Sequence, residues 1–161
     1  MSHYTAKRPE DLPTQAEMLG LSGLEFMRGI LEGRLSAPPI GTLMGFRLDH
    51  VEQGRTVFRG APDFAACNPM GGVHGGWYGT ILDSCMGCAV MTTLPKGSYY
   101  TTLEYKINIT RAIPVGTEVI AEGRVQHAGR STGVAIGEIR GAADGKLYAT
   151  GSTTCLVMSA T

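Results

Sequence analysis

The stretch Asn68-Pro69-Met70-Gly71-Gly72-Val73-His74-Gly75-Gly76, followed by an apolar run from Trp77 to Leu94, decides the fold of this chain. The run is too long for one strand and has no polar face, so it predicts a helix that other structure surrounds. Asp83 is the one Asp, Glu, Lys or Arg between Asp63 and Lys96. Because an unpaired carboxylate is costly to bury, Asp83 needs either a structural partner or a chemical use.

Alternating apolar and polar residues predict strands on both sides of this helix. Upstream, the segments 43–51 and 55–61 flank Gln53-Gly54 and predict a hairpin. Before the hairpin, Thr14 is the predicted cap of a helix over roughly 15–34, which ends at Ala37-Pro38-Pro39. Downstream, the alternation predicts four more strands joined by short turns, over 99–110, 117–127, 131–141 and 146–157.

The order of these elements predicts an α+β fold. One antiparallel sheet of about five to six strands, wrapped around the long central helix, would bury that helix on every side. The N-terminal helix is an addition to this core. A length of 161 residues fits a single domain over 1–161, with a polar lead and helix at 1–36 and the core at 43–158.

Composition narrows the function classes. The 14 Lys and Arg residues balance the 14 Asp and Glu residues, which leaves no basic surplus for nucleic acid or an anionic lipid surface. No apolar run is long enough to span a membrane, and the start lacks the apolar core of a secretory signal. We therefore predict a cytoplasmic protein with reduced cysteines. The spacing of its cysteines and His74 does not match a zinc site, so no metal is predicted.

Asp83 has a structural and a functional interpretation. It either bonds to Thr80, Ser84 or a neighbouring strand, or acts as a general base or nucleophile in a dry pocket. The glycine-rich helix start supplies free N–H groups that suit a developing oxyanion. Gly75 and Asp83 are eight residues apart, or about 12 Å along a helix, so one acyl group cannot touch both. If both act on it, they belong to different chains of a two-fold dimer with two interfacial sites.

The segment from Asn68 to Gly76, with Asp83 nine positions after His74, resembles the signature of hotdog-fold acyl-CoA thioesterases of the phenylacetate-degradation (PaaI) type. The likeness continues through the later strands and covers roughly 43–158. It implies a hotdog fold and hydrolysis of an acyl-CoA thioester to free acid and CoA without a cofactor. It also implies homodimers that pair into tetramers.

The resemblance implies roles for individual residues. The Gly75 N–H polarises the thioester carbonyl, Asn68 positions the carbonyl or the water, and Asp83 activates water or attacks directly. A hydroxyl on the following strand assists, and Thr102 fits this role best, although its neighbour Thr101 makes the register ambiguous by one residue. The remaining candidates are expected to bind substrate, and the two arginines among them to contact the CoA phosphates. These candidates are His74, Gly76, Thr101, Arg111 and Arg130.

Two other functions fit the same residues. A hotdog enoyl-CoA hydratase needs a histidine and a carboxylate poised together, whereas nine helical residues place His74 and Asp83 on opposite faces. A non-catalytic acyl-CoA binding module would keep the pocket without turnover. The acyl group itself is open, because aryl, short-chain and medium-chain groups all fit an apolar helix.

Overall fold

A computed structural model describes residues 4–159, so the first three residues of the predicted polar lead and the last two of the predicted domain lie outside the described residues. Within that range six strands form one antiparallel sheet, in the order β1-β2-β4-β5-β6-β3. The strands are β1 Phe46–Glu52, β2 Arg55–Gly60, β3 Ser98–Ile109, β4 Val119–Ala128, β5 Thr132–Gly141 and β6 Leu147–Ser159. The helices are α1 Gln15–Leu19, α2 Gly23–Leu31, α3 Pro39–Met44 and α4 Gly75–Met91. The predicted α+β class, with a sheet on a long helix, is confirmed.

The sheet curls around the central helix α4 and covers most of its apolar residues. The helix packs on β2, β3, β4, β5 and β6, and the side chains of Ile81, Leu82 and Met86 are fully buried. Burial of each such side chain stabilises the fold by roughly 1.5–3 kcal/mol. The helix begins at Gly75, two residues before the predicted start at Trp77, because His74 caps it. No helix within residues 4–159 is long and apolar enough to span a bilayer.

Glycines in the sheet let α4 lie unusually close to it. A Cβ atom at Gly123 of β4 would overlap the backbone carbonyl of Cys85, and one at Gly137 of β5 would lie 2.8 Å from the Cγ of Met86. Thr56 of β2 also donates a hydrogen bond of 2.7 Å to the Cys85 carbonyl. Sheet and helix therefore meet through backbone at this point.

The N-terminal region differs from the prediction of one helix over 15–34. It forms α1 and α2, which are separated because each has its own cap. The Thr14 hydroxyl accepts from the Glu17 N–H, and the Ser22 hydroxyl accepts from the Glu25 N–H. Two capping boxes so close together start two short helices instead of one long one.

The predicted strand from residue 43 also begins later than expected. Residues 39–44 form α3, which Pro39 starts and Gly45 ends in the left-handed conformation, with φ of 70°. Only then does β1 begin, at Phe46. Proline at the first helical position and glycine just after the last are the usual signals of a short helix, and they outweigh the strand pattern here.

Strand β3 lies at the edge of the sheet and, in the described part of the chain, pairs only with β6. Its register shifts between Thr102 and Glu104, so Leu103 is the extra residue of a β-bulge. The bulge reverses the alternation of side chains, and both Thr102 and Tyr105 face α4 as a result. The Tyr105 hydroxyl reaches Gly79 on that helix, where an added Cβ would be 3.0 Å away.

Candidate active site

Asp83 lies half-buried on α4 and is held by β3. The Thr102 hydroxyl donates a hydrogen bond of 3.0 Å to its Oδ1 atom. Burial raises the pKa of the Asp83 carboxyl above its ordinary value, and the bond from Thr102 offsets part of that rise. Thr101 is exposed and, as the adjacent strand residue, points to the opposite face of β3. The structure therefore brings Thr102 rather than Thr101 to Asp83.

The other hydroxyls on α4 do not satisfy this carboxylate. Thr80 donates to the Gly76 carbonyl and Ser84 to the Thr80 carbonyl, each at 2.8 Å. The Oδ2 atom of Asp83 makes no hydrogen bond within residues 4–159. Asp83 thus has one oriented oxygen and one oxygen available to another molecule.

The start of α4 leaves the backbone N–H of Gly75 free. The Gly76 N–H donates to His74 Nδ1 at 2.8 Å, whereas the Gly75 N–H makes no hydrogen bond among the described residues. The helix dipole adds positive potential at the same place. The N–H of Gly76, a predicted substrate contact, is not available in this structure, because His74 already accepts it. Gly75 is the donor that remains for an oxyanion.

His74 serves as the N-cap of α4. Its Nδ1 atom is an acceptor here, so the neutral ring carries its proton on Nε2. The bond to Gly76 uses the ring locally, and no bond joins His74 to Asp83. Within one protomer, His74 and Asp83 therefore do not form the His–carboxylate pair that a hydratase would need.

Asn68 folds the loop that leads into α4. Its Oδ1 atom accepts from the N–H groups of Met70 and Gly72, at 2.9 and 3.2 Å. The His74 N–H donates to the Ala66 carbonyl at 2.8 Å and closes the loop at its base. With its oxygen occupied, Asn68 has its Nδ2 group left as a donor toward a carbonyl or a water molecule.

The two arginines predicted to contact CoA phosphates are far apart in one protomer. Arg130 lies two residues before Thr132. Thr132 of β5 and Thr101 of β3 are level with each other, because each of them pairs with Leu156 of β6. Arg111 follows ten residues beyond Thr101, or about 30 Å along the strand. Both side chains are exposed. One phosphate group cannot contact both arginines of the same chain.

Two cavities flank the exposed face of α4, and neither was predicted from the sequence. One, of about 400 Å³, opens beside the helix start and is lined by Leu43, Met44, Ala66, His74, Gly76 and Thr80. The other, of about 540 Å³, lies between the N-terminal helices and the second half of α4. No group of three or more His, Cys, Asp or Glu within residues 4–159 could hold a metal ion.

Comparisons with known proteins agree with this fold. Residues 70–148 match the family model of the thioesterase superfamily. A conserved protein of Pseudomonas aeruginosa is 33% identical and aligns over 74% of this chain and 93% of its own, with a TM-score of 0.68. A phenylacetic acid degradation-related protein of Ralstonia eutropha JMP134 is 28% identical, over 81% and 98%, with a TM-score of 0.74.

A protein of Streptococcus mutans UA159, solved bound to acetyl-CoA, has a similar fold; it is 24% identical over 71% of this chain and 90% of its own, with a TM-score of 0.65. A comparison with curated proteins finds no match. The family match includes Gly75, Asp83 and Thr102, and the sheet and helix are those of the solved relatives. The chain therefore belongs to the thioesterase superfamily and is a hotdog-fold thioester hydrolase of the phenylacetate-degradation (PaaI) type.

Proposed function

We propose that this chain hydrolyses acyl-CoA thioesters to a free acid and CoA. The observation that carries the proposal is the combination of a half-buried Asp83, oriented by Thr102, with a free Gly75 N–H at the positive end of α4. A base or nucleophile and an oxyanion donor are what thioester hydrolysis needs, without a cofactor. The acetyl-CoA bound by the Streptococcus mutans relative supports a CoA thioester as the substrate.

In this mechanism the thioester carbonyl oxygen accepts a hydrogen bond from the Gly75 N–H. Asp83 removes a proton from a water molecule as the water attacks the carbonyl carbon, and the developing negative charge is stabilised at the helix start. The intermediate then expels the CoA thiolate, which takes up the proton. Alternatively, Asp83 attacks first and water hydrolyses the resulting anhydride. Asn68 Nδ2 is a donor for the carbonyl or the water in either case.

Each site would be shared by two protomers. Helix α4 runs without a break from Gly75 past Asp83, so these groups lie about 12 Å apart in one chain. A carbonyl held at Gly75 is within reach of Asp83 of the partner subunit if two α4 helices lie side by side about a two-fold axis. The tetramer implied by the family resemblance stays a prediction.

The edge strand β3 supports such a dimer. It is twelve residues long and presents exposed apolar side chains, with 57% of Leu103 and 45% each of Tyr105 and Ile109 accessible. A long, exposed apolar edge is a template for pairing with another strand. Pairing of two β3 strands would cover these residues and bring the two copies of α4 together.

Complementation tests both the reaction and the shared site. Wild-type protein is expected to release free thiol from acyl-CoAs, whereas Asp83→Asn and Gly75→Pro homodimers are expected to be nearly inactive. When the two variants are co-expressed with different tags and purified together, about half of the dimers are mixed, and each mixed dimer has one intact site of two. Activity should therefore return to about a quarter of the wild-type value.

The outcomes separate the two parts of the proposal. No recovery in mixed dimers whose composition is verified by both tags would mean that each site lies within one chain. No thiol release by folded wild-type protein from any acyl-CoA would rule out the proposed hydrolysis. Tight acyl-CoA binding in that situation would favour the binding module.

Thr102→Val is expected to lower kcat about tenfold, because one hydrogen bond to a charged group is lost. The bond lowers the pKa of Asp83 in the wild type, so its removal raises that pKa further. Since the base must be ionised, the acidic limb of the kcat/KM profile should move to higher pH. Thr102→Ser, which keeps the hydroxyl, should restore both the rate and the profile. An unshifted acidic limb in Thr102→Val would show that this hydroxyl does not act through Asp83.

A further inference from the structure

The larger of the two cavities beside α4 is not used by the chemistry described above. It encloses about 540 Å³, and its wall is mostly apolar. We name it the N-terminal cavity. Its apolar wall includes Met18, Phe26, Met27 and Ile30 from α1 and α2, together with Phe46 and Phe58 from β1 and β2.

The segment that forms much of this wall is firmly attached to the fold. The Ser36 hydroxyl donates to the Asp11 carbonyl at 2.6 Å, and the Ala6 N–H donates to the Ala37 carbonyl at 2.9 Å. Both α1 and α2 have complete capping boxes. The family match begins at residue 70, so this part of the wall lies outside the region that the family model matches.

The N-terminal cavity begins beside the proposed catalytic carboxylate. Ser84, the residue after Asp83, lines it, and so does Cys88 one helical turn further along α4. On β3 the lining includes Tyr100, which lies two residues before Thr102 on the same face of the strand. A group bound at Asp83 can therefore continue into the cavity along α4.

The chemistry of the wall restricts what can occupy it. Among the described lining residues, the one charged side chain is Arg47, and that residue is exposed on β1. A charged or strongly polar group inside would lose its hydration without gaining partners. The volume is in the usual range of ligand pockets, about 300–1,000 Å³, and an acetyl group of three heavy atoms would leave most of it unfilled.

We propose that the N-terminal cavity receives the acyl chain of the substrate, so that the preferred substrates are CoA thioesters of uncharged, apolar acyl groups of medium length. This inference rests on the proposed hydrolysis of acyl-CoA and adds the acyl specificity. It makes residues 12–42 the part of the chain that selects the substrate, whereas α4 and β3 supply the reacting groups.

The test is a series of saturated substrates: acetyl-, butyryl-, hexanoyl-, octanoyl- and decanoyl-CoA, with phenylacetyl-CoA for comparison. The wild-type kcat/KM is expected to rise by up to about fourfold for each methylene that enters the cavity, and to level off or fall once the cavity is full. A series that is flat from acetyl- to decanoyl-CoA would overturn the inference.

Substitutions in the wall should move the optimum in opposite directions. Ala37→Leu fills part of the cavity and is expected to lower the ratio of kcat/KM for octanoyl-CoA over acetyl-CoA at least tenfold. Met18→Ala enlarges the cavity and should move the optimum to longer chains. The matched control is Ala16→Leu, because Ala16 is exposed on α1 and does not line the cavity. A chain-length profile that neither wall variant changes, in folded protein, would contradict the proposal.

Failure of this inference can be told apart from failure of the proposed function. Asp83-dependent hydrolysis without a chain-length preference would support the proposed function. It would also show that the N-terminal cavity does not bind the acyl chain. If no thioester is hydrolysed, calorimetry with octanoyl-CoA and acetyl-CoA decides the inference directly. Octanoyl-CoA binding at least tenfold tighter, and weakened by Ala37→Leu, would support the cavity as the acyl site; equal binding of the two would overturn it.

Discussion

Asp83→Asn is expected to lower kcat for acyl-CoA hydrolysis by about 10²–10⁴-fold, the range typical of a lost general base. The amide preserves the shape of the side chain and can still accept the hydrogen bond from Thr102, but it neither removes a proton from water nor attacks a thioester. The measurement is thiol release with a saturating acyl-CoA. Circular dichroism of the variant checks that the fold is kept.

The matched control is Asp144→Asn, at an exposed turn where the side chain oxygen accepts from the Lys146 N–H. That variant changes the same charge far from α4 and should hydrolyse the substrate at the wild-type rate. A folded Asp83→Asn protein that keeps its kcat within about threefold of the wild type would contradict a chemical role for Asp83.

The same variant should also be more stable than the wild type at neutral pH. Burial raises the pKa of Asp83 above its value in the unfolded chain, so the ionised carboxylate destabilises the fold at pH 7. This cost is absent below the unfolded pKa and appears as the pH rises through the window between the unfolded and the raised folded pKa. The gain in Tm from Asp83→Asn should therefore shrink as the pH is lowered toward 4, at fixed protein concentration.

Gly75→Pro is expected to lower kcat by about 10²–10³-fold, the usual effect of losing one oxyanion donor. Proline removes the N–H and fits the first position of a helix. The residue before it, His74, already has φ of −63° and ψ of 139°, which a following proline favours. The substitution should therefore remove one donor and leave α4 in place.

Gly75→Ala is the matched comparison, because it adds a side chain but keeps the N–H. Its Cβ would lie in ordinary contact, 3.7 Å from the Cδ1 of Ile109 within the protomer. The rate of Gly75→Pro should be at least tenfold below that of Gly75→Ala. Equal rates for the two variants would show that the N–H group does not stabilise the transition state.

The central features could be predicted from the sequence because they depend on local patterns. An apolar run too long for a strand predicts α4, and one carboxylate within it draws attention to Asp83. The partner hydroxyl was predicted only to within one residue, Thr101 or Thr102. Strand alternation cannot resolve that ambiguity when a bulge at Leu103 changes which residues face the helix.

Features that depend on contacts between distant segments could not be predicted in this way. The occupied N–H of Gly76 depends on the rotamer of His74, and the N-terminal cavity forms only where α2 meets β1 and α4. The division of the predicted helix over 15–34 did have a local signal, because Ser22 and Glu25 form a second capping box. The regular apolar spacing of that region obscured it.

The close contact between Gly123 and the backbone of Cys85 has a consequence for how the protein accommodates its substrate. With backbone against backbone, and with Thr56 bonded to the same carbonyl, α4 cannot slide by a turn, about 5.4 Å, without losing both interactions. The alignment of Asp83 on α4 with Thr102 on β3 is therefore a constant of the fold. Any adjustment to acyl groups of different size must come from the N-terminal helices, which makes them the natural place to change selectivity while the reaction geometry is kept.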